Sequence, residues 1–68
     1  MLPWDDLRFV LAMSRGGSAT AAGRELGVNA TTVTRRIQAL EDHLGVRLFD
    51  RRSTGMVATD AGEAAVQV

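Results

Sequence analysis

Cysteine and tyrosine are absent from the 68 residues, and proline, tryptophan and histidine occur once each. Without cysteine there is neither a disulfide framework nor a thiolate metal site, and a reduced, cytoplasmic setting is expected. No apolar run nears the ~20 residues needed to cross a bilayer, and the opening MLPWDD lacks the basic start of a secretory signal, so no membrane partner is expected. His43 has no second histidine to share a metal and sits near a helix end. No nucleophile and base stand together, and so short a chain cannot enclose a pocket, which excludes an enzyme and leaves no cofactor to expect. Internal repeats and low-complexity stretches are also missing.

What remains is one lean domain. At 46% hydrophobic and 24% charged the composition is globular, and a chain near this size buries only about 60% of the surface it exposes when unfolded. The net charge is zero, unlike the basic balance usual in nucleic-acid binders. Its distribution is uneven. Between Arg15 and Gly55 lie seven arginines against four carboxylates, a net of +3, and the two ends carry the compensating −3. All eight cations are arginine, the side chain suited to bidentate contacts with phosphate and guanine. A solvated surface of mixed charge reads equally well from these numbers.

Periodicity organises the chain. Trp4, Leu7, Val10, Leu11 and Ser14, widened by Phe9 and Met13, predict a helix from 4 or 5 to about 15, with Asp5 and Asp6 at its start and Gly16-Gly17 at its end. Ser18 predicts an N-cap for a second helix, Ala19–Leu26. That helix is rich in Ala19, Ala21, Ala22 and Gly23, and Gly23 costs about 1 kcal/mol against alanine, which suggests a close crossing. Gly27 ends it, Val28 is expected to tuck into the core, and Asn29 caps a third helix, Ala30–Leu44, with Val33, Ile37, Leu40 and Leu44 as its apolar stripe and Gly45 as its terminator. Helix, short glycine-containing turn, helix is the signature of a helix-turn-helix. Residues 46–50 and 56–58 are expected as two short strands around a loop at 51–55. Thr59 or Asp60 then caps a fourth helix with Ala61, Ala64, Ala65 and Val68 on one side. Its stripe is interrupted at residue 68, as in a chain that continues.

The third helix carries the chemistry. Thr31, Thr32 and Thr34 are mediocre helix formers crowded into little more than one turn. On a recognition helix their hydroxyls reach base edges or phosphates and their methyls meet thymine; as a plain solvated face they read no worse. Arg35, one turn after Thr31, is the candidate for a base edge. Arg36 points about 100° away, towards flanking phosphate or a salt bridge with Glu41 or Asp42. Gln38 continues the Thr31–Arg35 face. Ser18 and Thr20 open the second helix, where free amides suit a phosphate oxygen. Arg51 and Arg52 lie at the base of the hairpin, able to track a DNA backbone or to pair with Asp50. A helical module that docks a protein and never touches DNA is the competing reading, supported by the neutral net charge.

Four stretches carry a resemblance: GSATAAGRELGV at 17–28, NATTVTRRI at 29–37, LEDHLGVRLFDR at 40–51 and TDAG at 59–62. Together they resemble the DNA-binding domain of LysR-type transcriptional regulators. The resemblance implies a mainly α, winged helix-turn-helix fold: three helices, a short β-hairpin wing, and the start of a linker helix. Residues 1–58 would be the DNA-binding domain and 59–68 the beginning of the dimerisation helix. It implies double-stranded DNA as partner, a homodimer or tetramer in the full-length protein, and a small-molecule co-inducer bound by a domain outside this chain. Carried across, major-groove contacts fall on Ala30, Thr31, Thr34 and Arg35, phosphate contacts near Ser18 and Thr20, and a wing contact near Thr54. The chain departs from the family pattern at Ala19, where an aromatic is common, at Ala30, where glutamine often reads a base, and at Thr31, where proline or serine is frequent. Thr54 stands where the wing often has arginine, with Arg52 the nearby cation.

Overall fold

The computed structural model describes residues 4–53 and 55–66. Three helices come first: α1 (Trp4–Gly16), α2 (Ala19–Leu26) and α3 (Ala30–Leu44). A hairpin of β1 (Phe49–Arg52) and β2 (Gly55–Ala58) follows, then α4 (Asp60–Val66). The architecture is the expected winged helix-turn-helix.

The caps fall where the sequence puts them. Ser18 Oγ accepts from the Ala21 amide at 3.1 Å and Asn29 Oδ1 from the Thr32 amide at 2.8 Å, each satisfying a donor that helix geometry leaves orphaned. Both α2 and α3 stop on left-handed glycines, Gly27 and Gly45. At the start of α4 the capping oxygen belongs to Thr59, whose Oγ1 accepts from the Gly62 amide at 3.1 Å.

One apolar core joins all of this. Phe9, Val10, Ala12 and Met13 come from α1, Ala22 from α2, and Val33, Ile37 and Leu40 from α3, with Leu48 and Phe49 closing it below the wing. The small residues of α2 let α1 and α3 approach, and Ala12 and Ala22 are fully buried. Gly23 has a sharper reason than a helix crossing. A Cβ there would lie 2.5 Å from the carbonyl oxygen of Val28, so the tight neighbour is the turn itself. The Val28 amide donates to the Gly23 carbonyl at 2.9 Å. With its backbone pressed on α2, Val28 turns its side chain outward, and 37% of the residue is exposed rather than tucked into the core.

Other apolar expectations shift. Trp4 is 68% exposed, on the first turn of α1 ahead of the core layer begun by Phe9. Leu7 and Leu11 are half-buried, and the inner face of α1 is centred on Phe9, Ala12 and Met13. Leu44 ends α3 and is exposed. Ala61 and Ala65 pack on the core while Ala64 faces out, and Val68 lies outside the described residues.

The first strand begins later than its hydrophobicity suggests, at Phe49 rather than at 46. The backbone of 47–49 is already engaged elsewhere. Leu48 and Phe49 donate to the Glu41 carboxylate and Arg47 and Leu48 offer their carbonyls to Thr59, so pairing with β2 begins only at Phe49. The antiparallel register instead runs from Phe49↔Ala58 to Arg52↔Gly55, which places Arg51 and Arg52 in the strand and not in the loop. The hairpin is fixed to the helices by the Met56 amide, which donates to the Gly17 carbonyl at 2.8 Å. Gly62 sets α4 against the same strap: a Cβ there would fall 2.0 Å from the Leu48 carbonyl oxygen.

Candidate nucleic-acid interface

The buried stripe of Val33, Ile37 and Leu40 fixes how α3 is rotated, and therefore what it shows to solvent. Thr31, Thr34, Arg35 and Gln38 are exposed and Ala30 half-buried. These five residues together line one shallow groove of about 340 Å³. Thr32, which lies on the other side of the helix start, does not join them.

A larger open cleft, about 620 Å³, runs between the start of α2, the outer face of α3 and the wing. Ser18 and Thr20 enter it from α2, Ala30, Thr34 and Gln38 from α3, and Arg51 and Arg52 from β1. The hydroxyl oxygen of Ser18 caps α2, which leaves its proton free to be donated. Arg35 stands on the adjoining groove, one turn beyond Thr31. Thr54, expected at the wing tip, lies outside the described residues.

Arg36 is not brought to this surface. Its guanidinium reaches 3.4 Å from Asp6 and stacks 4.9 Å from the centre of the Phe9 ring, holding α3 to α1. The partner is neither Glu41 nor Asp42. Asp50, in turn, pairs with Arg47 at 3.2 Å and not with the wing arginines.

The arginines therefore divide. Arg8 pairs with Asp5, Arg15 with Glu25, Arg36 with Asp6 and Arg47 with Asp50. Among the described residues Arg24, Arg35, Arg51 and Arg52 have no carboxylate partner. Of the four carboxylates in the central region, Glu25 and Asp50 are in ion pairs and Glu41 is bound by amides. Among the described residues, the guanidinium groups of Arg35, Arg51 and Arg52 thus stand beside the clefts without a carboxylate in contact, and Glu41 is the one carboxylate lining the larger cleft. The Arg15–Glu25 brace stands apart from them. The hydrogen bond from Arg15, aided by its charge and opposed by burial, holds the Glu25 carboxyl below its usual range; the same bond raises Arg15.

Two residues that matter here escape a local reading of the sequence. Glu41 faces the cleft and binds the backbone that leads into the wing, and Arg47 lines the same cleft while donating to the Phe49 carbonyl at 3.4 Å. Spacing offers a signal for Arg47, three residues before Asp50. For Glu41 there is none, because its partners lie seven and eight residues on, across a turn. Among the described residues no group of His, Asp and Glu could hold a metal ion, and no helix is long and apolar enough to cross a membrane.

Known proteins are similar in sequence and fold. The family described as "Bacterial regulatory helix-turn-helix protein, lysR family" matches residues 4–63. The regulator TfdS of Cupriavidus pinatubonensis is 47% identical over 58 residues, 85% of this chain and 20% of its own length. ClcR of Pseudomonas putida is 45% identical over 56 residues, 82% of this chain and 19% of its own. The chain thus spans about a fifth of the length of these relatives. Among solved structures, a complex of the CbnR DNA-binding domain with DNA aligns over 97% of this chain and 76% of that one, at 35% identity and a TM-score of 0.89. A BenM DNA-binding domain on benA site 1 DNA aligns over 97% and 74%, at 30% identity and the same score. With the family matched from α1 into α4 and the winged fold reproduced, this chain belongs to the lysR family of bacterial regulatory helix-turn-helix proteins.

Proposed function

We propose that this chain reads double-stranded DNA in sequence-specific fashion for transcriptional control. One observation carries the reading: the hydroxyl-rich face of α3 and three arginines without carboxylate partners, Arg35, Arg51 and Arg52, open onto adjoining clefts. α3 enters the major groove, where Thr31, Thr34, Arg35 and Gln38 meet base edges and Ala30 sits close to them. Ser18 and Thr20 hold a phosphate at the start of α2. Arg51 and Arg52 follow the backbone beside the wing or enter the minor groove, and a further wing contact falls near Thr54. Arg36 acts on DNA through α3, which it braces, more than by direct contact. The likeness to two domains solved on DNA supports the reading.

Within the longer protein, residues 1–58 form the reading domain and 59–68 begin a linker helix that pairs subunits into a dimer or tetramer. A co-inducer acts through a further domain, and the protein works in the cytoplasm. A single module buries little DNA, so binding by this chain alone is weak and strongly salt-dependent. The test is an anisotropy titration against promoter fragments at two salt concentrations, with wild type and Arg35→Ala. Salt-sensitive binding whose sequence preference falls with Arg35→Ala is expected. Binding indifferent to both would overturn the reading and favour a protein-docking module.

A further inference from the structure

Between the reading helix and the wing one side chain does what no backbone ladder can. A single oxygen of Glu41, Oε2, accepts from the Leu48 amide at 2.7 Å and from the Phe49 amide at 3.2 Å. The Glu41 carbonyl also accepts from the Gly45 amide at 2.8 Å, closing the C-terminal turn of α3. One residue therefore ends the helix with its main chain and holds the first residues of the wing with its side chain. The side chains of those residues, Leu48 and Phe49, are buried, and their amides sit in part-buried surroundings where lost partners are costly.

We propose that Glu41 is a positioning residue for DNA recognition: it sets the spacing between α3 and the wing, and so decides whether Arg51 and Arg52 reach the DNA backbone while α3 occupies the groove. The inference rests on the reading of the cleft as a DNA interface. Its chemistry runs against simple charge. Glu41 lines the cleft and is negative, so its removal should tighten binding to a polyanion if charge were all that mattered. A positioning role requires the opposite sign. What counts is reach: glutamine keeps an oxygen at the same distance, aspartate keeps the charge but is one methylene short, and alanine keeps neither.

The experiment measures affinity of the 68-residue chain for a fluorescein-labelled duplex of mixed sequence across a salt series, for wild type, Glu41→Gln, Glu41→Asp, Glu41→Ala, Arg35→Ala, Arg52→Ala and Glu41→Ala/Arg52→Ala. Amide exchange at Leu48 and Phe49 is followed without DNA. Glu41→Gln should bind at least as tightly as wild type. Glu41→Asp and Glu41→Ala should bind about three- to tenfold more weakly, with a salt slope shallower by about one to two as phosphate contacts are lost. Adding Arg52→Ala to Glu41→Ala should cost little more, because the wing is already displaced. Exchange at the two amides should quicken in the aspartate and alanine variants and stay slow with glutamine. If Glu41→Ala does not fold, the aspartate and glutamine variants decide the matter by their order. Aspartate binding as well as glutamine, additive losses with Arg52→Ala, or two amides still protected in Glu41→Asp would overturn the proposal. Loss with Arg52→Ala but none with any Glu41 variant removes only the positioning role; a wild-type chain that ignores the duplex removes the DNA reading with it.

Discussion

On its inner side α3 gives Val33, Ile37 and Leu40 to the core and Arg36 to Asp6 and Phe9 of α1; on its outer side it leaves Thr31, Thr34, Arg35 and Gln38 facing open clefts. Arg35 and Arg36 are adjacent in the chain and chemically identical. One has its charge answered by a carboxylate and an aromatic face; the other, among the described residues, has neither. The two sides teach how a neutral domain can still attract a polyanion. Glu25 and Asp6 are spent as braces between helices and Asp50 on Arg47, while Arg35, Arg51 and Arg52, among the described residues, keep their charge unpaired beside the clefts. Net charge describes solubility well and this surface poorly.

The contrast can be broken most forcefully from inside. Ile37→Ala should destabilise the chain by about 2–5 kcal/mol, a large share of what so small a domain possesses, and chemical denaturation will measure it. On the outer side Arg35→Ala should leave stability within about 0.5 kcal/mol while DNA affinity drops by about 1–3 kcal/mol on preferred sequences. Equal effects on all sequences would place Arg35 on phosphate instead. Arg52→Ala should weaken binding evenly across sequences and flatten the salt dependence by about one unit of slope, read from the same titrations. Arg36→Ala should cost about 0.5–1 kcal/mol of stability through its half-exposed ion pair and ring contact, with sequence preference intact. A change in preference without loss of stability would move Arg36 to the outer set.

The smallest effect belongs to the Arg15–Glu25 brace. Glu25 is held below its usual range in the folded chain. Its contribution is therefore complete above the unfolded carboxyl's value and fades as pH falls through the folded one. Thermal melts across that acid range should show a slope in wild type that Glu25→Gln removes, and added salt should shrink the difference.

Much of the fold was legible because its signals are local. Ser18 and Asn29 announce their helices by side chains that bond within the next three residues, and Gly27 and Gly45 end them on the spot. The outer face of α3 was legible for the same reason, since the buried stripe dictates its opposite. The wing was less so. Leu48 and Phe49 have the same apolar character in a strand as in a strap, and only the Glu41 and Thr59 contacts, distant in sequence, decide where pairing begins. The sorting of arginines was hidden likewise: Arg36 finds its carboxylate thirty residues away and Arg15 ten. Burial of Trp4 and Val28 was misjudged because periodicity assigns a face without saying whether another element reaches it.

The strap at 47–49 has one more property. The amides of Leu48 and Phe49 belong to Glu41 and the carbonyls of Arg47 and Leu48 to Thr59, whose hydroxyl lies 2.6 Å from Arg47 O and whose amide lies 2.9 Å from Leu48 O, with Gly62 pressed against the Leu48 carbonyl. α4 is consequently mounted on the very peptide bonds that hang the wing from the reading helix. The end of α3, the start of the wing and the cap of α4 thus share a single anchor of two peptide units.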